Sequence, residues 1–284
     1  MQLADKRIMP GVSQAMVHIG VEFSGTTCCL TSVLPAGFQA VTLVIERGVH
    51  VTFTDTCIPS ISIIFACQQN ARVVYLLKSG PQSCLTNVQI VWYLSENSSV
   101  ECVLMGTIVC SQVVMNLDIY LCGTGARASL YALITVDQGA QCSIVSRQIH
   151  TASHTTSIVR VHSLVGAGHM NYRGAIDIEH GCVDAKAIQS NKNMLLSKAG
   201  KIVALPTLQV RTNQVNCTHG AAVGTLEAEH VAYLQARGID AQRAQVLLLN
   251  GFLMSALEGA SDEALCFADR NSVAMATSNN SICH

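Results

Sequence analysis

From about Glu46 to His219 the chain alternates short turns of small or polar residues with runs in which apolar and polar positions take turns. Glu46-Arg47-Gly48 precedes Val49-His50-Val51-Thr52-Phe53-Thr54, Gln69-Asn70-Ala71 precedes Arg72-Val73-Val74-Tyr75-Leu76, and Asn97-Ser98-Ser99 precedes Val100-Glu101-Cys102-Val103-Leu104. Gly123-Thr124-Gly125, Gln138-Gly139, Gly166-Ala167-Gly168, His180-Gly181 and Ala199-Gly200 continue the series. Alternation of period two predicts strands with one buried face. Gly and Asn at the turns permit positive φ. Turns recurring roughly every 20 to 30 residues fit the coils of a solenoid better than a hairpin meander. The predicted fold is mainly β, a solenoid in which inward residues of each coil pack on the coils above and below to give an apolar column. An antiparallel sandwich is the competing fold, and the scarcity of Asn-Gly and Asp-Gly hairpin signals disfavours it.

The pattern changes after His219. Gly220-Ala221-Ala222-Val223-Gly224 is a hinge of small residues, Thr225 is a candidate N-cap, and Leu226, His230, Tyr233, Leu234 and Arg237 fall at helical spacing. Gly238 occupies a C-terminal left-handed position, and Asp240 caps a second predicted helix from about Ala241 to Leu257. The organisation read from these changes is an N-terminal set of capping strands over 1–45, the β-helix core over 46–224 and a helical segment over 225–258. A weakly ordered tail is expected over 259–284, where the text is polar and aperiodic.

Composition narrows the function classes. Half of the 284 residues are hydrophobic and 12% are charged, with a net charge of −1. Nucleic-acid binding lacks the basic excess it needs, and no polybasic segment suits an anionic membrane surface. Apolar runs such as Ile63 to Cys67 fall far short of the ~20 residues of a membrane span. The first residues lack a secretory pattern, so a cytoplasmic, reducing location is expected. The 13 cysteines are odd in number, irregularly spaced and free of any CxxC pair. Cys28, Cys57, Cys67, Cys84, Cys102, Cys110, Cys122, Cys142 and Cys182 sit in strand-like text and read as small interior hydrophobes.

Six texts over about a hundred residues carry a family resemblance. They are His154-Thr155-Thr156-Ser157 leading to Arg160; Gly166-Ala167-Gly168-His169-Met170-Asn171-Tyr172-Arg173-Gly174-Ala175-Ile176; Gln189-Ser190-Asn191-Lys192-Asn193-Met194-Leu195-Leu196-Ser197; Pro206-Thr207-Leu208-Gln209-Val210; Cys217-Thr218-His219-Gly220-Ala221-Ala222-Val223-Gly224; and Tyr233-Leu234-Gln235-Ala236-Arg237-Gly238-Ile239. In order and spacing they resemble the core of the SufB/SufD family of iron–sulfur cluster assembly proteins. The resemblance implies a right-handed parallel β-helix with a small C-terminal α-helical segment. It also implies a non-catalytic scaffold role in the cytoplasm. The text from Gln189 to Leu196 holds no thiol where SufB-type members carry one, which makes the chain closer to SufD.

Cys217 and His219, two apart on a predicted strand, point to one face with Cα atoms about 6.6 Å apart. Thiolate and imidazole both ligate iron, yet two groups are too few for a closed site. The resemblance places His219, with Cys217, at the junction with a partner subunit. It implies no permanently bound cofactor, and a cluster shared transiently with that partner. The partner is a SufB-like paralogue, or a second copy in a homodimer. The alternative is a buried Cys217 and a His219 hydrogen-bonded at a coil end. The helical segment is implied to dock a SufC-type ATPase through Tyr233, Leu234, Arg237, Leu248 and Phe252; folding back onto the solenoid is the alternative, and both can hold together. The chain has no P-loop of its own. His150 and His154 are read as sharing a strand face too far apart for one ion, and His162, His169, His180 and His230 as solvated or locally hydrogen-bonded. A carbohydrate-active β-helix enzyme is the rival function. Asp118, Asp177, Glu179 and Asp184 form no repeated column of the kind its paired carboxylates would need. A structural homodimer without metal chemistry is the third reading.

Overall fold

The computed structural model describes residues 6–8, 14–33, 40–56, 62–79, 87–109 and 111–277. Cys57, Cys84 and Cys110 lie outside the described residues. The strands in chain order are β1 (Lys6–Ile8), β2 (Gln14–Ile19), β3 (Thr26–Cys29), β4 (Ala40–Ile45), β5 (His50–Asp55), β6 (Ser62–Cys67), β7 (Arg72–Ser79), β8 (Asn87–Leu94) and β9 (Ser99–Val109). They continue with β10 (Gln112–Leu121), β11 (Arg127–Asp137), β12 (Gln141–His150), β13 (Thr156–Val165), β14 (His169–Ile178), β15 (Ala185–Leu195), β16 (Lys201–Val210) and β17 (Val215–Thr225). The helices are α1 (Leu30–Val33), α2 (Ala228–Gln235), α3 (Ala241–Met254) and α4 (Asp262–Thr277).

From β2 onward, even-numbered strands form one parallel sheet and odd-numbered strands the other, so each coil contributes one strand to each face. The result is a parallel β-solenoid of about seven turns. The register confirms the period read from the turns. Ala40 lies beside Ser62, Gln112 beside Gln141, and His169 beside Lys201. One corner is a stack of left-handed residues: Gly48, Asn70, Asn97, Gly125, His154 and Asp184. Each donates its backbone N–H to a carbonyl of the next coil, from Gly48 to Gln69 O at 3.1 Å through to Asp184 to Gln214 O at 2.7 Å. The corner therefore makes the hydrogen bonds that a sheet ladder would otherwise make.

The interior changes character along its axis. The N-terminal coils are apolar, with Phe53, Phe65, Tyr75 and Trp92 fully buried and Phe65 stacked on Trp92 at 6.0 Å. The sequence pattern predicts such a column along the whole length. In the C-terminal coils, however, inward positions carry Ser146, Gln148, His150, Ser157, Ser163, Gln189, Asn191 and Asn193, all buried. Gln148 apart, whose amide has no hydrogen-bond partner among the described residues, they are held by hydrogen bonds. Tyr172 Oη lies 3.0 Å from Ser146 Oγ and accepts from Gln189 Nε2 at 2.9 Å. Asn191 Nδ2 donates to Val161 O at 3.1 Å, and Asn193 bonds both Asn191 and Ser163.

The C-terminal helices fold back along the outer face of the odd-numbered sheet. Leu249, Leu253, Ala256, Leu257, Ala264 and Ala268 bury against Val74, Val103, Met105, Tyr131, Leu133 and Leu164. Polar latches fix the register of the arm. Glu101 accepts from Ser261 N at 2.9 Å and from its hydroxyl. Arg160 donates to Glu258 O, and His162 Nδ1 donates to Phe252 O at 2.9 Å. The N-cap of α3 is as read, with Asp240 Oδ1 accepting from Arg243 N at 2.9 Å. Two expectations are corrected here. Thr225 is the last residue of β17, and Glu227 occupies the cap of α2. Residues 262–277, in the stretch read as a weakly ordered tail, form helix α4, because Ala264 and Ala268 find an apolar sheet face that local text does not reveal. No helix among the described residues is long and apolar enough to cross a membrane.

Candidate functional site

The two ends of the solenoid differ. At the N-terminal end, Phe23 and the α1 residues Leu30 and Val33 are buried on the first coils and close the core. At the other end the last coil is left uncovered by the described residues. In β14 the inward residues Met170, Tyr172, Gly174, Ile176 and Ile178 are all buried. Their register partners in β16 are Ile202, Ala204, Pro206, Leu208 and Val210, which are half-buried or exposed. The same step occurs from the buried Ala185, Ala187, Gln189, Asn191 and Asn193 of β15 to Val215, Cys217, His219, Ala221 and Val223 of β17. Val223 reaches 52% exposure. An open cross-section of the core is thus presented at the C-terminal end, bordered by two edge strands.

Cys217 and His219 stand on this cross-section. Both point inward, over Ala187 and Gln189 of the coil above. Cys217 is half-buried and packs against the small cluster of Ile176, Ile178, Cys182, Ala185 and Ala187, and partial burial raises its thiol pKa. His219 is exposed. The structure brings the pair to one face as the strand spacing predicts, and among the described residues no third His, Cys, Asp or Glu joins them. A cluster bridging this face would take two donors from this chain and its remaining ligands from sulfide or another chain.

The five residues read as a docking face divide. Tyr233 is exposed with Arg237 over its ring at 4.6 Å from the centroid, on a helix that buries no residue. Leu234 and Leu248 are half-buried. Phe252 stacks on His162 of the chain's own sheet at 5.2 Å. Leu247, outside those five, is 48% exposed.

Several other readings are revised by the fold. His150 and His154 do not share a face. His150 ends β12 pointing inward, whereas His154 is an exposed left-handed corner residue, 3.4 Å from Asp184. His162 is buried under the helical arm, where burial lowers its pKa. Among the described cysteines none forms a disulfide. Cys67, Cys102, Cys142 and Cys182 are buried as read, and burial pushes Cys67 and Cys142 up to about 12. Cys122 is exposed because it falls just past β10 at the corner, where the alternation resets. Asp118 is held by Arg147 through two hydrogen bonds, which removes it from any paired-carboxylate arrangement.

The fold and site define a parallel β-solenoid whose C-terminal cross-section carries a thiol and an imidazole between two edge strands. The family model for the SufBD core domain of the SUF iron–sulfur cluster assembly system matches residues 31–252, and the chain belongs to that family. It is 31% identical to the iron–sulfur cluster assembly protein SufD of Escherichia coli over 98 residues, 34% of this chain and 23% of that protein. It is 28% identical to a SufBD family protein of Synechocystis over 44% of this chain and 35% of that one. An Archaeoglobus fulgidus SufBD family protein is 26% identical over 60% of this chain and 40% of its own length. The matches thus span between about a quarter and two fifths of these relatives.

Proposed function

We propose that the chain is a non-catalytic scaffold subunit of a SUF-type assembly complex. Its open end pairs with a SufB-like subunit, and Cys217 and His219 contribute to a cluster held transiently between the two chains. The arm formed by α2 and α3 docks a SufC-type ATPase through Tyr233, Leu234, Arg237 and Leu247. One observation carries this reading most. The core is closed at its N-terminal end, and its last coil leaves Leu208, Val210 and Val223 uncovered together with two free strand edges.

An anaerobic pull-down followed by reconstitution with iron and sulfide tests it. The full chain is expected to retain both partners. His219→Ala is expected to lower cluster yield of the complex at least tenfold while leaving retention intact, a loss of about 1.4 kcal/mol or more. Tyr233→Ala with Arg237→Glu is expected to release the ATPase alone. These point variants are preferable to removing the helices, because deletion would uncover Val74, Val103, Met105 and Leu133 on the sheet. Unchanged cluster yield in both His219→Ala and Cys217→Ala would remove the ligand role. A chain that pairs only with itself would favour the homodimer.

A further inference from the structure

The buried polar line inside the C-terminal coils ends directly beneath His219. Ser146 on the even-numbered sheet meets the Tyr172 hydroxyl at 3.0 Å, and Gln189 on the opposite sheet donates to that hydroxyl through Nε2 at 2.9 Å. Gln189 is 2% exposed. Its amide fills the notch left by Gly174, where a β-carbon would stand 1.5 Å from Nε2. That contact fixes one end of the amide. The other end, Oε1, is buried with no hydrogen-bond partner among the described residues. A buried amide oxygen left without a donor is unfavourable, so its neighbours matter. In the next coil the register partner of Gln189 is His219, on the same inward face. Parallel strands lie about 4.8 Å apart, which puts an imidazole within reach of the amide stacked on it. The other donor-bearing side chains of this column, Asn191 and Asn193, already bond one another.

We infer that Gln189 is a positioning residue for His219. Its Oε1, unpaired in this structure, is the acceptor that the exposed His219 ring meets on turning inward, and that contact holds the neutral imidazole in one tautomer and leaves the second ring nitrogen free at the open end. Tyr172 and Ser146 hold Gln189 in turn, as hydrogen-bonded partners hold the rings of metal-binding histidines elsewhere. The inference rests on the reading of His219 as a junction residue, but its test is independent of cluster assembly.

The test is nitrogen-15 NMR of the His219 ring in the full chain. The wild type is expected to show one tautomer, with two well-separated ring-nitrogen signals. Gln189→Met, which keeps the length and loses the acceptor, is expected to show a mixture with the signals drawn together. Gln189→Glu, which restores an acceptor oxygen, is expected to recover the single tautomer. A tautomer mixture already present in the wild type would overturn the inference without any variant, as would identical spectra for the wild type and Gln189→Met. A single Gln189-dependent tautomer alongside a fully active His219→Ala would leave the contact standing and remove the junction reading instead.

Discussion

Replacing Gly123 with alanine is expected to destabilise the protein by about 3 kcal/mol or more, at the upper end of overpacking effects. Gly123 lies at a corner where two coils touch through their backbones, and its N–H donates to Leu94 O at 3.0 Å. A β-carbon there would lie 2.0 Å from the Glu96 amide nitrogen and 2.3 Å from the Ser95 carbonyl carbon. No rotamer relieves a clash with main chain. Both segments are also held by the corner hydrogen bonds, so a local shift would propagate into β8 and β11. Gly139 is the control. Its φ is +76° and a β-carbon meets nothing within 4 Å. Gly139→Ala is therefore expected to cost only the left-handed conformation, roughly 1 kcal/mol. Urea denaturation of the two variants checks this. Equal midpoints would mean that the coils at Gly123 are not in backbone contact.

Acid is expected to weaken the fold through His150. Its ring is fully buried between two hydroxyls, with Nδ1 2.7 Å from Thr155 Oγ1 and Nε2 2.8 Å from Ser157 Oγ. The Thr155 hydroxyl proton goes to Ala152 O, so Thr155 accepts from Nδ1–H and Ser157 donates to Nε2. The neutral ring is satisfied at both nitrogens, and a proton on Nε2 would displace the Ser157 donor. Burial lowers the pKa from 6.5 to about 4. A pKa below the unfolded value means that the native state favours the neutral ring. The contribution is complete above about pH 6.5 and is lost as the pH falls towards 4, a change of about 3 kcal/mol. Buried His162 shifts in the same direction and adds to it. Denaturation at pH 7.5 and 4.5 is expected to show the loss. His150→Gln, which keeps one donor and one acceptor, is expected to show a smaller one. An unchanged pH dependence in that variant would place the acid lability elsewhere.

The solenoid was legible because its rule is local. Period-two alternation, turns at a steady spacing and left-handed residues such as Asn70 and Asn97 are written in the sequence near where they act. The Asp240 cap was legible for the same reason. What escaped depends on partners distant in sequence. Nothing beside Ala264 and Ala268 announces the apolar sheet face more than a hundred residues away that makes α4 a packed helix. The polar interior had a local signal in Ser146, Gln148 and His150, which recur at period two on a buried face. The pattern still predicts an apolar column there, because a partner such as Tyr172, which meets Ser146, comes from the next coil. Cys217 and His219 were placed together by strand spacing alone, but their place on the open end follows from β17 being the last strand of its sheet. Phe252 sits at a helical spacing that suits docking, yet its ring is occupied by His162, a contact 90 residues away.

Hydrogen exchange of β17, Val215 to Thr225, with and without a SufB-like partner tests the open-end junction most directly. The expected result is rapid exchange of the free-edge amides in the isolated chain and strong protection on adding the partner, extending to β16 and leaving β2 and β3 unchanged. Binding of that partner with exchange in β17 unaltered would contradict it.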